Sequence, residues 1–75
     1  MERKDIIKLV IRNVTKASKN NSTVIAINDG VRIGYYDTTY MREPLVKSPT
    51  EWANGLSFFM KVNNMDTDKL TLIIE

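Results

Sequence analysis

The stretch Thr23–Tyr36, TVIAINDGVRIGYY, decides the fold, because it holds two runs of β-branched and aromatic residues around Asn28-Asp29-Gly30. Such runs are typical of strands, and an Asp-Gly pair suits a two-residue type I′ turn, in which both positions need a positive φ. The stretch therefore predicts an antiparallel β-hairpin.

The length of the turn sets the register of the hairpin, and the register decides which side chains share a face. With a two-residue turn, Asn28 opposes Val31, and the pairing then continues residue by residue along both strands. One face is expected to carry Val24, Ala26, Val31, Ile33 and Tyr35, and the other Ile25, Ile27, Arg32, Gly34 and Tyr36.

Residues 3–19, before the hairpin, have the periodicity of an amphipathic helix. At 100° per residue the apolar side chains form one arc, which consists of Ile6, Ile7, Val10, Ile11, Val14 and Ala17. The opposite arc is basic and carries Lys4, Lys8, Arg12, Lys16 and Lys19. Six basic and two acidic residues give residues 1–21 a net charge of +4, although the whole chain carries only +2.

A second helix is predicted to begin at Ser48-Pro49-Thr50-Glu51, because serine can cap free amides and Glu51 can complete a capping box. The extent of this helix is open. Trp52, Leu56, Phe59 and Met60 have helical spacing, so the helix could run to Val62. However, Asn54-Gly55 resembles a helix stop, and the apolar residues of 56–62 also alternate as in a strand. We favour a short helix and then a strand that forms a second hairpin with residues 69–74.

These elements predict a single small domain over residues 1–75, of the α+β class. The expected order is α-β-β-short α-β-β, with α-β-β-α-β as the alternative. In both versions the N-terminal amphipathic helix packs on one face of a small antiparallel sheet.

One helix can cover only one face of a sheet, and both faces of this sheet are partly apolar. The second face would carry Ile25, Ile27, Tyr36, Phe59 and Ile73. Soluble proteins seldom leave such a contiguous patch in water, so we predict a protein interface there, most simply in a homodimer. The alternative is that residues 37–52, with Tyr40 and Trp52, fold back over this face.

The chain has neither histidine nor cysteine, which excludes Ser-His-Asp and Cys-His catalysis and cysteine–histidine zinc clusters. Asp66-Thr-Asp68 lacks the remaining ligands of a calcium loop and is typical of turns. The three glycines are too scattered for a phosphate-binding loop. We therefore expect no catalytic, metal or cofactor site, and no enzyme.

The sequence favours a non-catalytic binding or regulatory protein that contacts itself, another protein, or both. Abundant lysine, asparagine and isoleucine suggest an AT-rich genome, and a phage or mobile-element accessory protein fits this composition. The alternative is a nucleic-acid-binding protein that uses the basic arc of the first helix. Without a signal peptide or a long apolar run, we expect a cytoplasmic protein that does not bind membranes.

Overall fold

The computed structural model describes all 75 residues. Two helices and three strands follow one another as α1 (Arg3–Ser18), β1 (Thr23–Asn28), β2 (Val31–Asp37), α2 (Pro49–Val62) and β3 (Leu70–Ile74), with short 3₁₀ turns at Thr38–Tyr40 and Thr67–Lys69. The α+β class is confirmed, in the order α-β-β-α-β that the sequence left as the alternative.

The sheet has three strands in the order β2-β1-β3, and both neighbouring pairs are antiparallel. The second hairpin expected between residues 56–62 and 69–74 is wrong, because residues 56–62 are helical. β3 returns instead to the free side of β1, where Ile73 pairs with Ile25.

The type I′ turn is confirmed, since Asp29 and Gly30 have φ values of 51° and 81°. The register beyond it differs from the expectation. A bulge next to Ile27 shifts the pairing by one residue, so that Ala26 faces Gly34 and Val24 faces Tyr36. The bulge therefore moves Tyr36 to the face of Val24 and Ala26, and Tyr35 to the face of Ile25.

α2 begins at the predicted capping box: Glu51 N–H donates to Ser48 Oγ at 3.1 Å, and Ser48 N–H donates to Glu51 Oε1 at 3.2 Å. Asn54-Gly55 does not end the helix. A glycine inside a helix costs about 1 kcal/mol relative to alanine, and burying Leu56 and Met60, 4% and 0% exposed, outweighs that cost.

Both helices end where an asparagine adopts a left-handed conformation. Asn64 has φ 54°, and the next amide, of Met65, donates to Met60 O at 2.8 Å. Asn21 has φ 52°, and Ser22 N–H donates to Ala17 O at 3.0 Å. These bonds belong to Schellman motifs, which satisfy carbonyls at the end of a helix.

The two helices pack against each other and on the same face of the sheet, α1 against β1 and β3, α2 against β2. Between them and the sheet lies one core cluster: Ile6, Val10, Val14, Ala17, Val24, Ala26, Tyr36, Trp52, Ala53, Leu56, Met60 and Leu70. Neither helix is long and apolar enough to cross a membrane.

Candidate functional site: an uncovered sheet face

The sheet face opposite the helices has no element packed on it, and Ile25 lies at its centre. Ile25 is only 2% exposed, yet it is the one buried hydrophobic residue outside the core cluster. Its cross-strand neighbours Tyr35 and Ile73 are 68% and 42% exposed. We define the open face by its three rows across the sheet: Asp37–Thr23–Glu75, Tyr35–Ile25–Ile73 and Arg32–Ile27–Thr71.

Charged residues stand only at the two ends of the open face. Arg32 pairs with Ile27 at the end next to the turn, and Asp37 pairs with Thr23 at the other end. Glu75 joins the acidic end, because its backbone exchanges hydrogen bonds of 3.2 and 2.8 Å with Thr23. The face is therefore apolar across its middle row, basic at one end and acidic at the other.

The structure brings together three of the five residues predicted for the interface, namely Ile25, Ile27 and Ile73. Tyr36 is not on the open face, because the bulge turns it into the core, where it is 5% exposed. Phe59 lies on α2 and is 42% exposed there, because α2 continues through residues 56–62. The expectation that these two residues belong to the sheet face is wrong.

Sequence reasoning missed Tyr35, which takes the place on the open face that Tyr36 was expected to hold. A signal for it was present in the sequence. A glycine inside a strand often marks a bulge, and Gly34 lies next to the irregular pairing.

Residues 37–52 do not cover the open face, so that alternative is wrong. Trp52 belongs to the core on the helix side, and the Tyr36 hydroxyl donates to Lys47 O at 2.6 Å beside it. Tyr40 and Leu45 of the same segment remain 57% and 99% exposed.

The basic arc of α1 points to solvent along its whole length. Its five cations, Lys4, Lys8, Arg12, Lys16 and Lys19, are all exposed. Lys4 Nζ lies 3.4 Å from Glu2 Oε2, whereas the other four have no ion pair. Three of them, Arg12, Lys16 and Lys19, border a shallow hollow of about 450 Å³.

Acidic side chains elsewhere in the chain make turn and cap hydrogen bonds. Asp5 accepts from the backbone N–H of Glu2 at 3.2 Å and so caps α1. Asp66 accepts from the backbone N–H of Asp68 at 2.9 Å. No group of three or more acidic side chains lies close enough together to hold a metal ion.

Comparisons with protein-family models, curated proteins and solved structures found no match to this chain. Its function is therefore inferred from its own surfaces, namely the open face of the sheet and the basic arc of α1.

Proposed function

We propose that this protein is a non-catalytic binding protein that acts through protein–protein contact, and that it forms a homodimer through the open face. The observation that carries the proposal is the middle row Tyr35–Ile25–Ile73, an apolar strip on a face that no element of the chain covers. Ile25 is already buried between its neighbours, and contact with a second protein would remove the exposed parts of Tyr35 and Ile73 from water.

The second protein we propose is another copy of the same chain, because the charges of the open face are self-complementary. A two-fold axis along the middle row would place each residue of that row against its own counterpart. The same rotation would bring Arg32 of one copy over Asp37 of the other. Two sheets stacked in this way would lie about 10 Å apart.

The size of the open face indicates a weak dimer. Strands about 4.8 Å apart and about 3.3 Å per residue give three rows a footprint of roughly 14 by 17 Å. Stable interfaces bury about 800 Å² on each partner, and this footprint is well below that. We therefore expect a weak dimer that forms only at high protein concentration.

Sedimentation velocity from about 10 µM to about 1 mM tests the homodimer, and we expect the weight-average mass to rise towards twice the monomer mass. Tyr35→Glu and Ile73→Lys should each keep the protein monomeric, because each buries a charge in the interface. The parent residues are exposed, so both variants should fold.

Phe58→Glu is the matched control, since Phe58 is also 68% exposed but lies on α2, away from the open face. It should dimerise like the parent protein. A parent protein that stays monomeric at about 1 mM, or a Phe58→Glu variant that loses dimerisation as Tyr35→Glu does, contradicts the proposal.

A second candidate function, nucleic-acid binding by α1, is supported by the four cations that have no ion pair. Phosphate contacts release counterions, so binding through four cations should fall with salt at a log–log slope of roughly −3 to −4. Replacing Lys8, Arg12 and Lys16 by glutamate together should abolish such binding to mixed DNA and RNA and leave dimerisation intact. Salt-independent binding, or none by the parent protein, contradicts this candidate.

A further inference from the structure

The outer edge of β2 has backbone groups without partners. Thr38 N–H donates to Ser22 O. Hydrogen-bonded residues alternate along an antiparallel strand, so Tyr36 and Gly34 are the next residues of β2 that hydrogen-bond to β1. The N–H and C=O groups of Tyr35 and Asp37 therefore point away from the sheet. Lysine, proline, a bulge or a covering segment usually protects such an edge. The bulge in the pairing lies before Gly34, and residues 35–37 beyond it contain neither lysine nor proline.

A groove runs between this edge and the loop of residues 40–47, with a volume of about 490 Å³. Trp52 and Tyr36 line it from the core side, and Tyr35, Tyr40 and Val46 line its outer parts. The loop is held by the hydrogen bond from the Tyr36 hydroxyl to Lys47 O, 2.6 Å long. The groove is thus already formed in the free protein, and most of its side chains are aromatic.

The indole of Trp52 supplies an unused hydrogen-bond donor in this groove. Trp52 is nine-tenths buried, at 9% exposure, and its Nε1–H donates to no acceptor in the protein. The nitrogen lies 3.8 Å from the position that a Cβ atom on Gly34 would occupy, and Gly34 lines the groove. The nitrogen is open to solvent in the groove, because the one enclosed side-chain polar atom without a partner is Asn54 Oδ1, so an acceptor on a bound molecule can reach it.

We propose that the groove binds an extended peptide segment of a partner protein, which pairs with the edge of β2. The peptide backbone exchanges hydrogen bonds with Tyr35 and Asp37, and one of its carbonyls accepts from Trp52 Nε1–H. An apolar side chain of the peptide fills the space beside Tyr40 and Val46. Strand addition of this kind takes its affinity from main-chain bonds and its specificity from side-chain pockets.

The test uses the full chain labelled with ¹⁵N and a library of blocked octapeptides in which apolar and polar residues alternate. The chain has a single tryptophan, so one indole N–H signal reports on the groove. We expect the best peptides to move this signal downfield and to protect the amides of Tyr35 and Asp37 from hydrogen exchange. If no member of the library does so at about 1 mM, the proposal is overturned.

Two matched controls separate strand pairing from non-specific apolar adhesion. A peptide N-methylated at alternate residues keeps its side chains but lacks the donors, and it should bind at least 10-fold more weakly. Tyr40→Ala should also weaken binding about 10-fold, because Tyr40 is exposed and lines the groove, whereas Phe58→Ala should not. Equal binding by the N-methylated peptide, or by Tyr40→Ala, overturns the proposal.

This inference goes beyond the homodimer, and the two fail separately. Ile73→Lys, which should block dimerisation, should still bind the peptide, and Tyr40→Ala should still dimerise. Loss of peptide binding in Ile73→Lys would show that the groove is not an independent site and would overturn the proposal.

Discussion

Tyr36 of β2 packs against Trp52 of α2 with the ring centroids 5.3 Å apart and the ring planes inclined by 37°. This tilted aromatic pair joins the edge strand to the second helix. Because the Tyr36 hydroxyl also donates to Lys47 O, the same side chain fixes the loop that precedes α2. One tyrosine thus connects the sheet, the helix and the loop.

Tyr36→Phe should lower the free energy of unfolding by about 1 kcal/mol at neutral pH, because a partly buried hydrogen bond is lost while the ring is kept. Urea denaturation measures this change. Tyr35→Phe is the control, since Tyr35 is exposed, and it should change stability by less than about 0.5 kcal/mol. Equal effects of the two substitutions would show that the bond to Lys47 O adds nothing.

The parent protein should also lose stability at high pH through Tyr36. Burial, followed by the negative charge of Glu51, raises the pKa of the Tyr36 hydroxyl above its usual 10.0. Above about pH 10 the unfolded chain releases this proton while the folded chain retains it, so the free energy of unfolding falls as pH rises. Urea midpoints at pH 8 to 11 should fall less steeply in Tyr36→Phe than in Tyr35→Phe.

Two glycine substitutions should change stability in opposite directions. Gly55 lies inside α2, and a methyl group added to it would have no neighbour within 4 Å, so Gly55→Ala should stabilise by about 0.5–1 kcal/mol. Gly30 has φ +81° in the hairpin turn, so Gly30→Ala should destabilise by about 1 kcal/mol or more. Chemical denaturation of both variants measures the difference, and a destabilised Gly55→Ala would be incompatible with an uninterrupted α2.

Asn28 should contribute more to stability than a similar asparagine at the surface. It is 5% exposed, and its Nδ2 donates to Asp66 O at 2.9 Å. Asn28→Ala removes this bond from a buried site, while Lys69 N–H still donates to Asp66 O at 3.1 Å, and the substitution should cost about 1–1.5 kcal/mol. Asn63 makes a bond of nearly the same length, 2.8 Å to Phe59 O, but is exposed. Asn63→Ala should therefore cost less than about 0.5 kcal/mol, and a similar cost for both would contradict a special role for Asn28.

Exchanging the charges at the ends of the open face tests the crossed arrangement of the proposed dimer. Arg32→Asp places like charges opposite each other and should weaken dimerisation several-fold. The double variant, with Asp37→Arg added, should restore dimerisation. It also loses the cap hydrogen bond that Asp37 accepts from Thr39 N–H, which lowers the free energy of unfolding by about 1 kcal/mol. Sedimentation velocity distinguishes these outcomes. No recovery in the double variant would exclude the pairing of Arg32 with Asp37 between copies.

The sequence predicted correctly those elements that depend on interactions between residues close together in the chain. The basic arc of α1, the capping box at Ser48 and the Asp29-Gly30 turn depend on neighbours in the sequence, and all are present. The apolar arc is present except at Ile11, which is 41% exposed, whereas Leu9, outside the predicted arc, packs against the core. The continuation of α2 past Gly55 depends on tertiary burial of Leu56 and Met60, which a local stop signal cannot weigh. The sequence alone therefore left helix and strand nearly balanced there.

The candidate site was predicted only in part for a related reason. Ile25, Ile27 and Ile73 alternate regularly with the core residues, so their common face follows from strand geometry. The groove could not be predicted, because it depends on where the loop of residues 40–47 lies against β2. That position is set by one long-range bond, from Tyr36 to Lys47.

The bulge beside Ile27 has a consequence for how β2 would tolerate an error of alignment during folding. It shifts the register of β2 by one residue, so that Tyr36 faces the interior and the adjacent Tyr35 faces solvent. Regular pairing without the bulge would place Tyr35 opposite Val24 and exchange their roles. Because both positions hold the same residue type, the core would keep an aromatic ring in either alignment. The slip would still be costly at the neighbouring position, because Ile33 would take the place of Gly34, where a Cβ atom would already lie 3.4 Å from Leu56 Cδ2.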